Sequence, residues 1–180
     1  GKFVAVGDSS SYSAYSNDGI NWTKKSMSAS RDWRSVTYGN GKFVAVANGT
    51  NFGAYSTDGI GWTGMTLPAS QQWISVTYGD GKFVAVASSS QSGAYSTDGI
   101  HWTEFTLYAS KSWRSVTYGD GKFVAVASGS ANGAYWKSAA DVTYTISDTS
   151  ITANSDVLME LTDDGGVKAN ALANGSITVI

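Results

Sequence analysis

Short apolar runs separated by glycine-rich polar turns fill most of the chain, and they return on a fixed period. Gly-Lys-Phe-Val-Ala-Val begins at Gly1, Gly41, Gly81 and Gly121, a spacing of 40 residues. Within one copy, Lys42 to Ala47 is a continuous run rich in β-branched residues, bounded by Gly41 and by Asn48-Gly49, which predicts a strand apolar on both faces. The preceding Trp33 to Tyr38 alternates large groups with small or polar ones, and Gly39-Asn40-Gly41 joins the two runs as a hairpin link. A third strand is predicted from Gly53 to Thr57; Asp58-Gly59 supplies the positive φ of a tight turn into a fourth, from Gly61 to Leu67. No segment carries a useful 3.6-residue period, so helical repeats are excluded.

One unit is therefore a four-stranded antiparallel meander with strands A (33–38), B (42–47), C (53–57) and D (61–67). A single meander cannot bury two apolar faces, but copies stacked around an axis can. The predicted fold is all-β, a β-propeller of 40-residue blades, about four of them. Strands B and C occur four times, A and D three times, so the first copy lacks A and the last lacks D. Four blades with two incomplete ones, or part of a larger ring, both satisfy this count. The propeller domain is expected over residues 1–137 and a small β-rich C-terminal module over 138–180, where tryptophan disappears and Thr, Ser and Val take over. An opening in mid-repeat and a last strand-like run, Ser176 to Ile180, predict a fragment of a longer polypeptide with a truncated module.

Composition narrows the chemistry. Charged residues are 14% of the chain, net charge is -2 and the 12 basic residues are scattered, which argues against a nucleic-acid partner. No apolar run is long enough for membrane insertion. With no cysteine and a single histidine, His101, no cofactor and no metal site are expected. Asp18, Asp58 and Asp98 recur once per turn, short of the several oxygen ligands that calcium needs. His101 replaces Asn21 and Gly61 at a hairpin position, where a surface histidine is expected.

Because the repeat lies within one chain, constant positions can be separated from varied ones. The A–B and C–D turns, including Asp18-Gly19, Asp58-Gly59 and Asp98-Gly99, are nearly uniform and belong to the scaffold. Trp22, Trp62 and Trp102, like Trp33, Trp73 and Trp113, sit on the repeat grid and are expected to pack between blades. Trp136 stands off the grid and is expected to cap the last blade against the C-terminal module. The B–C and D–A links at the other end change from copy to copy. They supply the candidate ligand-binding residues Tyr12, Asn51, Phe52, Gln71, Gln72, Gln91, Lys111 and Asn132. Loops on a rigid scaffold are where recognition concentrates, and hydroxyls, amides and a few aromatic rings suit a glycan.

Ser56-Thr-Asp-Gly-Ile-Gly-Trp62, with Ser16 to Trp22 and Ser96 to Trp102, resembles the Asp-box of bacterial sialidase-like repeats, Ser-x-Asp-x-Gly-x-x-Trp, although here Asp58 and Gly59 are adjacent. The resemblance implies a structural turn in which carboxylate and hydroxyl accept hydrogen bonds from turn amides above a packed Trp. It does not bring sialidase catalysis: the arginines are Arg31, Arg34 and Arg114 alone, the glutamates Glu104 and Glu160, and Arg34 and Arg114 are equivalent strand starts. The segment Ile146 to Val157, closing at Gly175-Ser-Ile-Thr178, is similar to a small β-module of phage tail-fibre and baseplate-associated proteins. Together the resemblances imply a non-enzymatic phage tail or fibre protein, located in the virion or outside the cell. Its partners would be a bacterial surface glycan or protein receptor, other virion subunits and further copies of itself. The alternatives are a secreted bacterial sialidase-like or glycan-binding propeller fragment and a purely structural virion spacer.

Overall fold

A computed structural model of the chain describes residues 1–130 and 133–137 together with the later strands named below. The described residues form strands and turns only. The first sheet holds β1 (Phe3–Val6), β2 (Ser10–Ser16) and β3 (Thr23–Arg31). The second holds β4 (Trp33–Gly39), β5 (Lys42–Ala47), β6 (Thr50–Ser56) and β7 (Thr63–Gln71), in that spatial order. The third repeats it with β8 (Trp73–Gly79), β9 (Lys82–Ala87), β10 (Ser90–Ser96) and β11 (Thr103–Lys111). The fourth begins with β12 (Trp113–Gly119), β13 (Lys122–Ala127) and β14 (Gly133–Lys137). Of the remaining strands, β15 (Val142–Ile146), β16 (Thr149–Ala153) and β19 (Ile177–Val179) make a separate sheet. By contrast β17 (Val157–Leu161) pairs with β14 in the place of a D strand, and β18 (Val167–Ala171) follows it.

The meander forms as the pattern predicts, with every neighbouring pair antiparallel. Its boundaries differ from the expectation. Strand C starts at Thr50, and strand D runs from Thr63 to Gln71, well past Leu67. A hydroxyl explains the earlier start: Thr50 Oγ1 accepts the Phe52 amide at 3.1 Å across a bulge, and Ser10 and Ser90 do the same for Tyr12 and Ser92. Pro68 is tolerated in β7 because β7 is an outer edge that needs no donor on its free side. The tight hairpin is the A–B turn, where Asn40 and Gly41 both take positive φ, the type I′ arrangement that matches strand twist. At the C–D turn only Gly59 has positive φ and six residues, 57–62, make the connection, wider than the tight turn expected at Asp58-Gly59 between strands ending at 57 and starting at 61.

The sheets stack with their A strands innermost. β4, β8 and β12 touch along their lengths, whereas the outer strands of neighbouring sheets meet at few points. Each junction repeats one composition. Val44, Val46 and Leu67 on the trailing face of the second sheet meet Trp73, Val76, Phe83 and Ala85 on the leading face of the third. Val84, Val86 and Leu107 meet Trp113, Val116, Phe123 and Ala125 one step on. Full burial of side chains of this size stabilises by roughly 1.5–3 kcal/mol each. Hydroxyls add register: Ser35 Oγ accepts the Val76 amide and Ser75 Oγ the Val116 amide, both at 3.1 Å, each crossing to the next A strand.

Candidate functional site

At the end built by the A–B and C–D turns, polar groups are consumed by their own backbone. Ser16 Oγ donates to Asp18 Oδ1 at 2.8 Å and accepts the Gly19 amide at 2.8 Å. The same carboxylate oxygen accepts the amides of Ile20 and Asn21. Asp58 and Asp98 repeat the arrangement. The backbone amide of Asn21, then its side chain, hold the Asp18 carboxyl well below the usual carboxylate range, and the amides of Gly61 and Ile60 lower Asp58. At Asp98 partial burial works upward, but hydrogen bonds from the side chain and backbone of His101 outweigh it. The His101 ring is solvent-exposed, its Nδ1 2.7 Å from Asp98 Oδ2. Among the described residues no three acidic or histidine side chains cluster as a metal site would require.

The tryptophans divide by what lies in front of them. Trp33, Trp73 and Trp113 are buried. Trp62 Nε1 donates to Ser13 Oγ at 3.0 Å and Trp102 Nε1 to Met65 Sδ at 3.2 Å, each reaching the preceding sheet. Trp22, expected between blades, is 47% exposed, and its Nε1 donates to the Gly19 carbonyl of its own turn at 3.2 Å. Trp136, expected to cap the last blade against the C-terminal module, stacks on Phe123 and lies 5.4 Å from the Phe105 ring of the third sheet, while its backbone pairs with Leu158 of β17.

At the opposite end the varied residues lie mostly on strands, because the B–C turn shrinks to two residues, 48–49, and the D–A link to one, Asp32, Gln72 or Ser112. Tyr12, Asn51, Phe52 and Gln91 therefore stand on C strands, Gln71 and Lys111 end D strands, and of these seven Gln72 alone is a link residue. Tyr12 is exposed, with Lys24 Nζ 3.5 Å above its ring. Phe52 is half-buried, edge-on to Trp33 and capped by the Arg31 guanidinium at 4.8 Å. Gln71 Nε2 donates to Ser92 Oγ at 3.1 Å, joining two sheets, while Gln91 reaches the Leu107 carbonyl at 3.4 Å. Tyr12, Phe52 and Ser92 occupy equivalent places in successive sheets, so these residues are spread around the rim and do not converge on one pocket. Asn132 lies outside the described residues.

The structure also brings together a cluster that sequence reasoning missed. Arg34 Nη2 donates to Asp32 Oδ2 at 2.7 Å, Arg34 Nη1 lies 3.6 Å from Asp8 Oδ2, and Asn48 Nδ2 donates to Asp32 at 2.9 Å. Burial pushes the Asp32 carboxyl up, but hydrogen bonds involving Asp8, Asn48 and Arg34 carry it below its ordinary value. The equivalent Arg114, on a bulge at the start of β12, donates to Ser128 Oγ at 3.3 Å and meets no carboxylate among the described residues. Arg114 is an exposed residue.

No protein-family model and no curated protein matches the sequence. Solved structures do. The inactive H270A virginiamycin B lyase of Staphylococcus aureus with quinupristin aligns over 95% of this chain and 66% of its own, with TM-score 0.69 and 12% identity. The fold is a β-propeller. A selenomethionine form of that lyase gives 0.60 at 12% identity over 91% of this chain and 49% of its own. YCF48 bound to a D1 peptide gives 0.59 at 15% identity over 93% and 63%. The chain thus spans between about half and two thirds of the propellers it matches. The matches include enzymes of the lyase type and a peptide-bound propeller, at identities that establish architecture alone.

Proposed function

We propose that this propeller is a non-enzymatic recognition module, a phage tail or fibre component that attaches to bacterial surface glycans through its varied rim. The observation that carries the reading is the contrast between the two ends. On the scaffold end the recurring aspartates spend an oxygen on three donors of their own turn, while the rim exposes the amides of Asn51 and Gln72 and, beside its bond to Ser128, the Arg114 side chain. Amide and guanidinium donors beside an exposed ring such as Tyr12 suit sugar hydroxyls and a stacked sugar face.

Glycan-array binding of the purified chain tests the reading. Tyr12→Ala with Gln72→Ala and Arg114→Ala is expected to reduce the signal at least tenfold with an unchanged unfolding temperature. Equal binding by that variant, or no glycan bound by the parent, would end it. Lyase turnover of quinupristin, the compound in the solved lyase structure, would instead favour an enzyme, and the Asp8, Arg34 and Asp32 cluster is where its acid–base groups would be sought.

A further inference from the structure

Arg34 and Arg114 hold the same place in two repeats, yet their surroundings treat them differently. Each is the bulged residue near the start of an inner strand, β4 or β12. The backbone frame around them is the same: the Asn48 amide donates to the Asp32 carbonyl at 2.8 Å, and two repeats on the Ser128 amide donates to the Ser112 carbonyl at 2.9 Å. The side chains differ. Arg34 donates to Asp32 at 2.7 Å and lies 3.6 Å from Asp8, and Asn48 donates to Asp32 as well. At the matching places around Arg114 the chain has Ser112, Ser88 and Ser128. Of these, Ser128 Oγ accepts Arg114 Nε at 3.3 Å. The partners of Arg34 come from its own sheet and the one before, and so do the three serines, all of them described residues.

We infer that Arg114, with Ser88, Ser112 and Ser128, receives a carboxylate of the ligand, so that the glycan bound is an acidic one; this rests on the rim being the recognition face. The first copy shows what a guanidinium at this place takes: carboxylates, supplied there by the chain itself. Two acids against one cation leave Arg34 nothing to offer a second anion. In the later copy each serine keeps the β-carbon and one oxygen of an aspartate and gives up the rest of the carboxyl group. Room of that size, with the charge unmatched, is left beside Arg114. A guanidinium pairs with a carboxylate through charge-assisted hydrogen bonds, and serine hydroxyls can donate to the remaining lone pairs. Ile74, the bulged residue of the third sheet, packs on the junction that Trp113 fills and gives the place an apolar side, which suits a sugar ring.

The test is NMR of the purified chain carrying isotope-labelled arginine, with Arg31, Arg34 and Arg114 followed as separate side-chain signals during titration with glucuronate, glucose or a glucose phosphate. Arg114 is expected to respond saturably to glucuronate and not to glucose, while Arg34 stays still. Ser88→Asp with Ser112→Asp rebuilds around Arg114 the carboxylates that Arg34 has, and should weaken the response about tenfold or more. On a glycan array, Arg114→Gln should abolish any preference for uronate-bearing glycans over the same glycans reduced at the carboxyl. No response of Arg114, an equal response of Arg34, or an unchanged response in the double variant overturns the inference. Tighter binding of the glucose phosphate does so too, by assigning the place to phosphate. Array binding indifferent to the carboxyl leaves the rim reading standing and sinks this one. Glucuronate moving Arg114 in a chain that binds nothing on the array leaves the carboxylate site standing and sinks the glycan reading of the rim.

Discussion

The ring of Tyr78 occupies the space that a β-carbon on Gly39 would need, and the same relationship joins Tyr118 to Gly79. Gly119, the next in the series, has nothing within 4 Å of such a carbon. One residue type at one place in the repeat therefore carries two different constraints. Gly39→Ala and Gly79→Ala force the tyrosine out of its seat between inner strands and should each cost about 1–3 kcal/mol. Gly119→Ala should stay within about 0.5 kcal/mol of the parent. Urea unfolding of the three variants checks the order.

The inter-strand hydroxyls make a second matched set. Ser75 is 8% exposed and its Oγ is bonded to the buried Val116 amide, so Ser75→Ala strands a backbone donor and should cost about 1–3 kcal/mol. Ser115, equivalent in sequence, lies exposed on the trailing face of the last described blade. Ser115→Ala should change the unfolding midpoint little, and equal losses in the two variants would refute the assignment of the hydroxyl to the junction.

The pH dependence of stability follows from the C–D turns. Asp18, Asp58 and Asp98 have folded carboxyls below their unfolded value of about 3.9, so the folded state favours the charged form. That contribution is fully present above the unfolded value and is lost as pH falls through the folded one. Asp58→Asn should lower the melting temperature at pH 7, with the gap to the parent closing steadily below pH about 4. A gap that persists undiminished at low pH would place the effect in packing and not in the charge.

What was legible in the sequence was what the period enforces. Phe43, Val44, Ala45 and Val46 announce a strand apolar on both faces because each face meets another blade, and all four are buried. The extents of strands C and D were harder to read. Thr50, Asn51, Ser70 and Gln71 carry no apolar alternation, and their strand geometry comes from pairing and from the Thr50 hydroxyl bond rather than from propensity. That is why Tyr12 and Phe52 read as loop residues. The Asp8, Asp32 and Arg34 cluster joins two sheets and so has no local spacing to betray it. One signal was present: the two acids and Arg34 stand together in the first two repeats, while the third has Gln72, Ile74 and Ser88 at the matching A-strand start and B–C turn.

The buried indoles give the last comparison. Trp33 Nε1 donates to the Ser10 carbonyl at 3.1 Å and Trp73 Nε1 to the Ala69 carbonyl at 3.1 Å, whereas Trp113 Nε1 is buried without a partner among the described residues. All three rings fill equivalent space, so Trp→Phe removes a similar volume at each site and the hydrogen bond is the variable. Trp33→Phe and Trp73→Phe lose a bond worth about 1 kcal/mol and leave a carbonyl less well satisfied; Trp113→Phe instead removes an unsatisfied buried donor. The Trp113 variant should therefore be the mildest of the three by about 1–2 kcal/mol in denaturant unfolding. If it proves the most damaging, the edge-on contact between Trp113 and Tyr108, with ring centroids 5.8 Å apart, outweighs the unpaired indole nitrogen.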